Sequence, residues 1–495
     1  MPFTVNPIKF GTDGWRGVIA ADFTFERVSK LAPLAAHVLA DNYGGAERER
    51  CIVVGYDRRF MSEDFAKVAA EAICEAGFDV LLSESYAPTP AFSWAAKTQN
   101  ALGAIVITAS HNPAKYSGFK VKGAFGGSVS PEVTQQIEDL LSKNVRHGAQ
   151  NGTITSFDPW ASYCEGLQVK VNIERIKEAI ASGKLKVFAD VMHGAAASGL
   201  ERLLNCPIQE INGDRDPLFE GGAPEPLPRY LPKLFEAIKT DAKGGGTHLR
   251  VGLVFDGDSD RIAAVDGQGN FLSSQVLIPV LIEHLATRKG MTGEIVKTVS
   301  GSDLIPRLAK LYNLSVFETP IGYKYIADRM LTTPVLVGGE ESGGIGYGTH
   351  IPERDALLSA LYVLEAIVES GQDLSDAYAQ LQDKTEFHSA YDRIDLPLAS
   401  MEVRNKLVHR LDSEPLKEIA GQSVVDCLAV DGYKYRLADN SWLLIRFSGT
   451  EPVLRLYCEA ATPMQVRQTL NWANDWANAV LTVISNSEVQ ETDGC

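Results

Sequence analysis

CIVVGYDRRFMSEDFAKVAAEAICEAG, residues 51–77, decides the fold class. Cys51 to Val54 form a short apolar run of buried-strand character. After a polar turn, Phe65, Val68, Ala69, Ala72 and Ile73 recur at helical spacing, so the stretch reads as strand, turn, helix. The arrangement returns in KLKVFADVMHGAAASGLERLL (184–204) and in GEIVKTVSGSDLIPRLAKLY (293–312). Three such echoes predict an α/β protein with three domains of similar topology, each built on a mixed sheet. WLLIRFSG (442–449) and VLRLYCEA (453–460) read as strands and MQVRQTLNWANDWANAVL (464–481) as a helix, which predicts a smaller C-terminal α+β domain. Boundaries fall near 165, 278 and 388, giving domains 1–165, 166–278, 279–388 and 389–495. The tail NSEVQETDGC (486–495) is expected to be loose.

A chain of 495 residues exceeds what one hydrophobic core serves, which agrees with several domains. With 45% hydrophobic and 22% charged residues, it has the balance of an ordinary globular protein. The formal charge of −16 argues against nucleic-acid binding, which draws on basic residues facing phosphates. A phosphate ligand would need a local basic pocket in an acidic exterior. Seven scattered cysteines without a CxxC pair fit reduced thiols. No apolar run approaches membrane-spanning length and the first residues lack a signal-peptide pattern, so the expectation is a cytoplasmic protein with no membrane partner.

Four short stretches carry chemistry. Ser110, in TASHNPAKYSGFKV (108–121), follows the strand pattern ALGAIVITA, so it lies at a strand's carboxyl end, where open α/β sheets place ligands. Taken alone, a serine before His-Asn-Pro is more often a turn or cap residue. A hydrolase triad is disfavoured because the GxSxG turn is missing. DGDSDR (256–261) sets Asp256, Asp258 and Asp260 at alternate positions, where three carboxylates repel one another unless a hard cation such as Mg²⁺ neutralises them. A solvated acidic turn is the plain alternative. An EF-hand is excluded, since Arg261 and Gly267 stand where that loop needs Gly and Glu. GGEESGGIGYG (338–348) offers carboxylates and a hydroxyl to sugar hydroxyls, or is simply a flexible loop. RFSGTEP (446–452) combines a guanidinium, hydroxyls and turn N–H groups, which suits a phosphate or a β-turn with a salt bridge.

Together, SHNP, DGDSDR, GEES and RFSGTEP, one in each expected domain, with the opening GTDGWRG and the segment TPIGYKYI, closely resemble the α-D-phosphohexomutase superfamily. The resemblance implies four domains around a central cleft. It implies that Ser110 is the phosphoserine, with Asp256, Asp258 and Asp260 holding Mg²⁺ together with an oxygen on Ser110. Lys120 is similar to the general acid/base, with His111 and Arg261 beside it, and that role asks for a lowered amine pKa. Glu340 and Ser342 would grip sugar hydroxyls. Arg446, Ser448, Gly449 and Thr450 would hold the phosphate that is not transferred. Arg16 matches a cleft arginine, and Gly322, Tyr323 and Lys324 lie where the family contacts substrate. A hexose 1,6-bisphosphate, glucose 1,6-bisphosphate in the simplest case, would be intermediate and activator. The partner is a hexose phosphate, and the sequence leaves monomer and dimer both open.

Three departures bear on substrate. Glu341 stands where glucosamine-type relatives commonly have Gln, which favours a neutral hexose. Gly344 replaces the His common in dual-specificity members, and Tyr323 stands where glucose-type members often have Trp. The reading is phosphoglucomutase. The alternatives are a glucose 1,6-bisphosphate synthase, a phosphomannomutase, and a sugar-phosphate sensor without chemistry.

Overall fold

The computed structural model describes residues 6–45, 50–142, 151–246, 248–448 and 452–492. The chain forms two compact units, one of residues 1–296, 312–317 and 322–378, the other of residues 297–311, 318–321 and 379–495.

In the first unit, β1 (Trp15–Val18), β2 (Cys51–Tyr56), β3 (Asp79–Ser83), β4 (Gly103–Ile107), β5 (Tyr116–Gly123) and β6 (Ile154–Phe157) form a mixed sheet of order β1-β5-β4-β2-β3-β6. β2 is parallel to β3 and β4, while β5 runs antiparallel to β4 and β1. The stretch that opened the reading folds as expected, as β2 followed by a helix at Ser62–Glu75. The buried face of that helix is Phe65, Ala66, Ala69, Ala70 and Ile73, so Val68 and Ala72 are displaced from it. Small alanines let this helix lie against its neighbour at Phe25–Tyr43, which selects a face that hydrophobicity alone does not.

A second mixed sheet contains β7 (Leu185–Asp190), β8 (Gln209–Ile211), β9 (Leu249–Phe255), β10 (Ile262–Val265) and β11 (Phe271–Leu272) in the order β11-β10-β9-β7-β8. A third has β12 (Glu294–Thr298), β13 (Val316–Thr319), β14 (Val335–Gly339) and β15 (Ile345–Gly346) in the order β13-β12-β14-β15. Residue 165 lies within the helix Ala161–Gln168 and residue 278 within Ser274–Glu283, whereas 388 lies between the helix Leu374–Thr385 and the next strand.

The second unit holds the C-terminal domain. β16 (Ala390–Pro397), β17 (Glu418–Ile419), β18 (Gln422–Leu428), β19 (Tyr433–Leu437), β20 (Trp442–Phe447) and β21 (Val453–Ala460) form a sheet of order β16-β21-β20-β19-β18-β17. Its core joins Leu443, Ile445, Leu454 and Leu456 to Leu470, Ala473 and Ala477 of the last helix. That helix runs over Pro463–Thr492 and takes in most of the tail expected to be loose. Neither Gly nor Pro interrupts it before Gly494. Among the described residues, no helix is long and apolar enough to cross a membrane.

Candidate active site

β4 ends at Ile107 and delivers Ser110 into a buried turn with φ of 53°. A left-handed conformation costs a serine about 1–3 kcal/mol and persists only where its surroundings enforce it. Two contacts do so: the Ser110 N–H donates to Thr108 Oγ1 at 2.9 Å, and Arg59 Nη2 donates to the Ser110 carbonyl at 2.6 Å. Arg59 is 1% exposed, and its other N–H bonds reach the carbonyls of Asn112, Pro113 and Tyr116. One guanidinium therefore organises the whole SHNP turn. Ser110 Oγ lies 3.1 Å from His111 Nδ1 and donates to Asp256 Oδ2 at 3.0 Å.

β9 ends at Phe255 and delivers the three aspartates. All three are fully buried, with one carboxylate oxygen of each within 4.8 Å of the others. Asp256 Oδ1 accepts the N–H groups of Asp260 and Arg261, both at 3.1 Å, which curls the loop. Gly257 is required here: a Cβ would stand 2.4 Å from the Ser110 carbonyl oxygen. Asp258 Oδ1 and Asp260 Oδ1 are buried without a hydrogen-bond partner. Two such oxygens in an all-oxygen donor set fit a hard divalent cation, so Asp256, Asp258 and Asp260 are the residues that would hold Mg²⁺.

β5 runs beside β4 and points Lys120 at the same acids. Its ammonium is 1% exposed and lies 2.6 Å from Asp13 Oδ2, 2.7 Å from Asp258 Oδ2 and 3.0 Å from Asp260 Oδ2. Burial alone would lower the Lys120 pKa, but the three carboxylates outweigh it and the net shift is upward. The lowered amine pKa expected from sequence is thereby corrected. Asp256 moves up, through burial and repulsion from Asp260 and Asp258. Asp258 moves down in spite of its burial, because Lys120 faces it. His111 is driven well below its usual value by burial and then by Arg261 and Arg16, which keeps its ring neutral.

The remaining expected residues of this unit have the following surroundings. Arg16 Nη1 donates to Asn112 Oδ1 at 2.5 Å. Arg261 Nε is 3.9 Å from Asp260 Oδ1, and Arg261 forms an isolated antiparallel bridge with Gly344. Glu340 is buried and accepts the Gly322 N–H at 3.0 Å, so two segments expected to meet substrate are tied together. Burial raises the Glu340 pKa, against the pull of Arg354 and Arg261. Ser342 and Lys324 are partly buried. Tyr323 is buried, its ring packed with Val296, Ile326 and Val335 and carrying Arg354 on its face. In the C-terminal unit, Arg446 Nε bonds Asp431 Oδ2 at 3.0 Å, and the Ser448 carbonyl accepts from Arg404 at 3.1 Å. Gly449 and Thr450 lie outside the described residues.

Four residues of this site carry no local sequence signal: Asp13, Arg59, Thr89 and Arg354. Thr89 Oγ1 donates to Asp258 Oδ2 at 2.6 Å, while Asp13 receives Lys120, Lys122 and Arg354. Only GTDGWRG hinted at Asp13, through its resemblance and without a role.

Family models of phosphoglucomutase/phosphomannomutase match this chain in order, with alpha/beta/alpha domain I at residues 7–147, domain II at 161–269, domain III at 273–385 and the C-terminal domain at 404–471. The chain belongs to the phosphoglucomutase/phosphomannomutase family. It is 30% identical to the phosphoglucosamine/phosphogalactosamine mutase of Sulfurisphaera tokodaii over 463 residues, covering 91% of this chain and 95% of the relative. It is also 30% identical to the phosphoglucomutase/phosphomannomutase of Thermococcus kodakarensis, covering 93% and 96%. A solved structure assigned as a phosphomannomutase from Thermus thermophilus superposes with a TM-score of 0.82 at 32% identity, covering 96% of this chain and all of that one. This phosphohexomutase is therefore an intramolecular phosphotransferase of a Mg²⁺-dependent family.

Proposed function

We propose that this phosphohexomutase interconverts the 1- and 6-phosphates of a neutral hexose, glucose first of all, through phosphorylated Ser110. One observation carries the reading: Ser110 Oγ stands 3.0 Å from Asp256 Oδ2, within a cluster that also holds Asp258, Asp260 and Lys120. In the proposed step a sugar hydroxyl attacks the phosphoryl group on Ser110. The Oγ–P bond breaks as the new O–P bond forms, and Ser110 regains a proton. Bound Mg²⁺ would offset negative charge on that phosphoryl group. Arg261, beside Asp260, supports the same charge.

Lys120 carries the proton between the sugar hydroxyl and Ser110. Held charged by its carboxylates, it gives one proton to Ser110 Oγ as the Oγ–P bond breaks and takes the sugar hydroxyl's proton in its place, while Asp13 at 2.6 Å holds the ammonium in position. His111, neutral and 3.1 Å from Oγ, orients the serine. Glu340 and Ser342 receive sugar hydroxyls, with Gly322, Lys324 and Arg16 lining the same subsite. Within the C-terminal unit, Arg446, Ser448, Gly449 and Thr450 are the phosphate-binding group of this proposal. The hexose 1,6-bisphosphate formed first turns end for end and rephosphorylates Ser110, so catalytic bisphosphate acts as activator. We place domain boundaries in the connections before Ala161 and Ser274, and near 388. The free thiols of the described cysteines agree with a cytoplasmic enzyme.

The preference for glucose rests on Glu341. A second reading, an amino-hexose phosphate, is favoured by the name of the Sulfurisphaera tokodaii relative. Turnover of glucose, mannose and glucosamine 1-phosphates, with phosphopeptide mass spectrometry at Ser110, tests the proposal. The expected result is mutase activity lost in Ser110→Ala. Equal activity in the two proteins would remove the mechanism. Product analysis separates a mutase from a bisphosphate synthase, which accumulates bisphosphate in proportion to the donor supplied.

A further inference from the structure

Arg354 belongs to IPERDA (351–356), a segment none of the four motifs includes. Its guanidinium is nearly buried. Nη2 donates to Asp13 Oδ2 at 2.5 Å and to Asp260 Oδ2 at 2.7 Å, while Nη1 stands 3.9 Å from Glu340 Oε2. Nε is buried with no hydrogen-bond partner, 3.7 Å from Glu353 Oε1. The guanidinium carbon lies 5.4 Å from the centre of the Tyr323 ring. One side chain thus spans from the acids beside Ser110 to the carboxylate of the sugar loop.

Its passage depends on Gly344. A Cβ at that position would meet Arg354 Cδ at 2.4 Å and Cγ at 3.0 Å, well inside contact distance. These are atoms of the stem, so the clash cannot be relieved by moving only the tip. The second glycine after Ser342 is therefore a gap shaped for an arginine from another segment.

We propose that Arg354 is a positioning residue that biases this site toward neutral hexose phosphates, with Gly344 as the gap that admits it. The inference rests on the mutase reading above and deepens it. A guanidinium 3.9 Å from Glu340 already compensates much of that carboxylate's charge. A sugar hydroxyl still donates a hydrogen bond to Glu340 without a charge of its own. A protonated amine on the sugar would instead share the carboxylate with a like charge, which is discrimination by a repulsive element. Guanidinium N–H groups also only donate, so they suit hydroxyl oxygens and have nothing to accept from an ammonium.

The test measures kcat/KM for glucose 1-phosphate and glucosamine 1-phosphate in wild type, Gly344→Ala, Arg354→Lys and Arg354→Ala. Thermal melts with and without Mg²⁺ accompany each protein. Wild type is expected to prefer glucose 1-phosphate. Gly344→Ala, which displaces the guanidinium but keeps every charge, and Arg354→Ala are both expected to move the ratio toward the amino sugar by about tenfold or more. Arg354→Lys is expected to restore part of the wild-type ratio. Should Arg354→Ala fail to fold, Gly344→Ala still decides the matter. An active wild type that prefers glucosamine 1-phosphate, or a ratio unmoved in a folded Gly344→Ala, overturns the inference alone. A wild type inactive on both sugars overturns the mutase reading, and the inference falls with it.

Discussion

Replacing Asp13 by asparagine removes one charge from the most heavily shared carboxylate of the site. Asp13 Oδ2 receives Lys120 at 2.6 Å and Arg354 at 2.5 Å, and Oδ1 receives Lys122 and Ser128, both at 3.1 Å. Breaking a buried ion pair by deleting one partner costs about 3–5 kcal/mol, because the other charge stays buried and unpaired. Here each cation keeps a second partner: Lys120 has Asp258 and Asp260, Lys122 has Glu353, and Arg354 has Asp260. Asparagine also retains a carbonyl oxygen for one of the donors. The cost therefore belongs below that range, at about 2–3 kcal/mol. With an unfolding entropy of about 2.1 cal/mol/K per residue, a unit of this size loses roughly 1.3 °C in Tm for each kcal/mol, so the transition of the first unit should fall by about 3–4 °C. Function should suffer separately. Lys120 and Arg354, released by Asp13, press harder on Asp258 and Asp260, the residues that would hold the cation. Half-saturation by Mg²⁺ should rise about tenfold, read as activity and as the Mg²⁺-dependent shift of the melt. A variant that melts within a degree of wild type, with unchanged Mg²⁺ dependence, would refute the claim that Asp13 balances this cluster.

Three further outcomes are expected. Asp258→Ala should abolish turnover and the stabilisation by Mg²⁺ while leaving a folded chain, and wild type should lose activity in excess EDTA; activity surviving either treatment contradicts the cation site. Gly257→Ala should lower kcat at least about a hundredfold and lower the melting temperature as well, since its Cβ would press on the backbone carbonyl of Ser110 at 2.4 Å and on Pro224 at 2.8 Å and displace the serine. Lys434 is fully buried, with its amine pushed from 10.5 to about 8 by burial and then by Lys297. Below pH 8 the folded chain bears the cost of that charge, and between about 8 and 10.5 the unfolded chain binds more protons, so the cost is relieved as pH rises. Lys434→Met should therefore stabilise the C-terminal unit by about 1–3 kcal/mol at pH 7, allowing for the lost bond to the Val299 carbonyl, and the advantage should shrink by pH 10. An advantage that does not vary with pH in denaturation experiments would refute the assignment of that cost to Lys434.

The outcome for Lys120 shows where local reading stops. Its lysine character and its spacing from SHNP are written in the chain, but its protonation depends on Asp13, 107 positions away, and on Asp258 and Asp260, still farther along. A pKa is a sum over charges and burial in space, and no window of sequence contains that sum. Tyr323 is a similar case. The chain places it beside Gly322, but only the fold packs its ring against Val296, Ile326 and Val335 and lays Arg354 on its face.

By itself the sequence determined the strand–turn–helix repeats, the small C-terminal sheet, and the strand ends at or just after which Ser110, Asp256, Glu340 and Arg446 stand. Those features follow from periodicity of two or 3.6 residues and from residue types clustered within a few positions, all short-range properties. Only the tertiary structure decided that Ser110 Oγ donates directly to Asp256, that Arg59 holds the serine turn, and that Arg354 passes through the space left by Gly344. Such contacts join residues far apart in the chain, and packing chooses among the many partners that local pattern leaves equivalent.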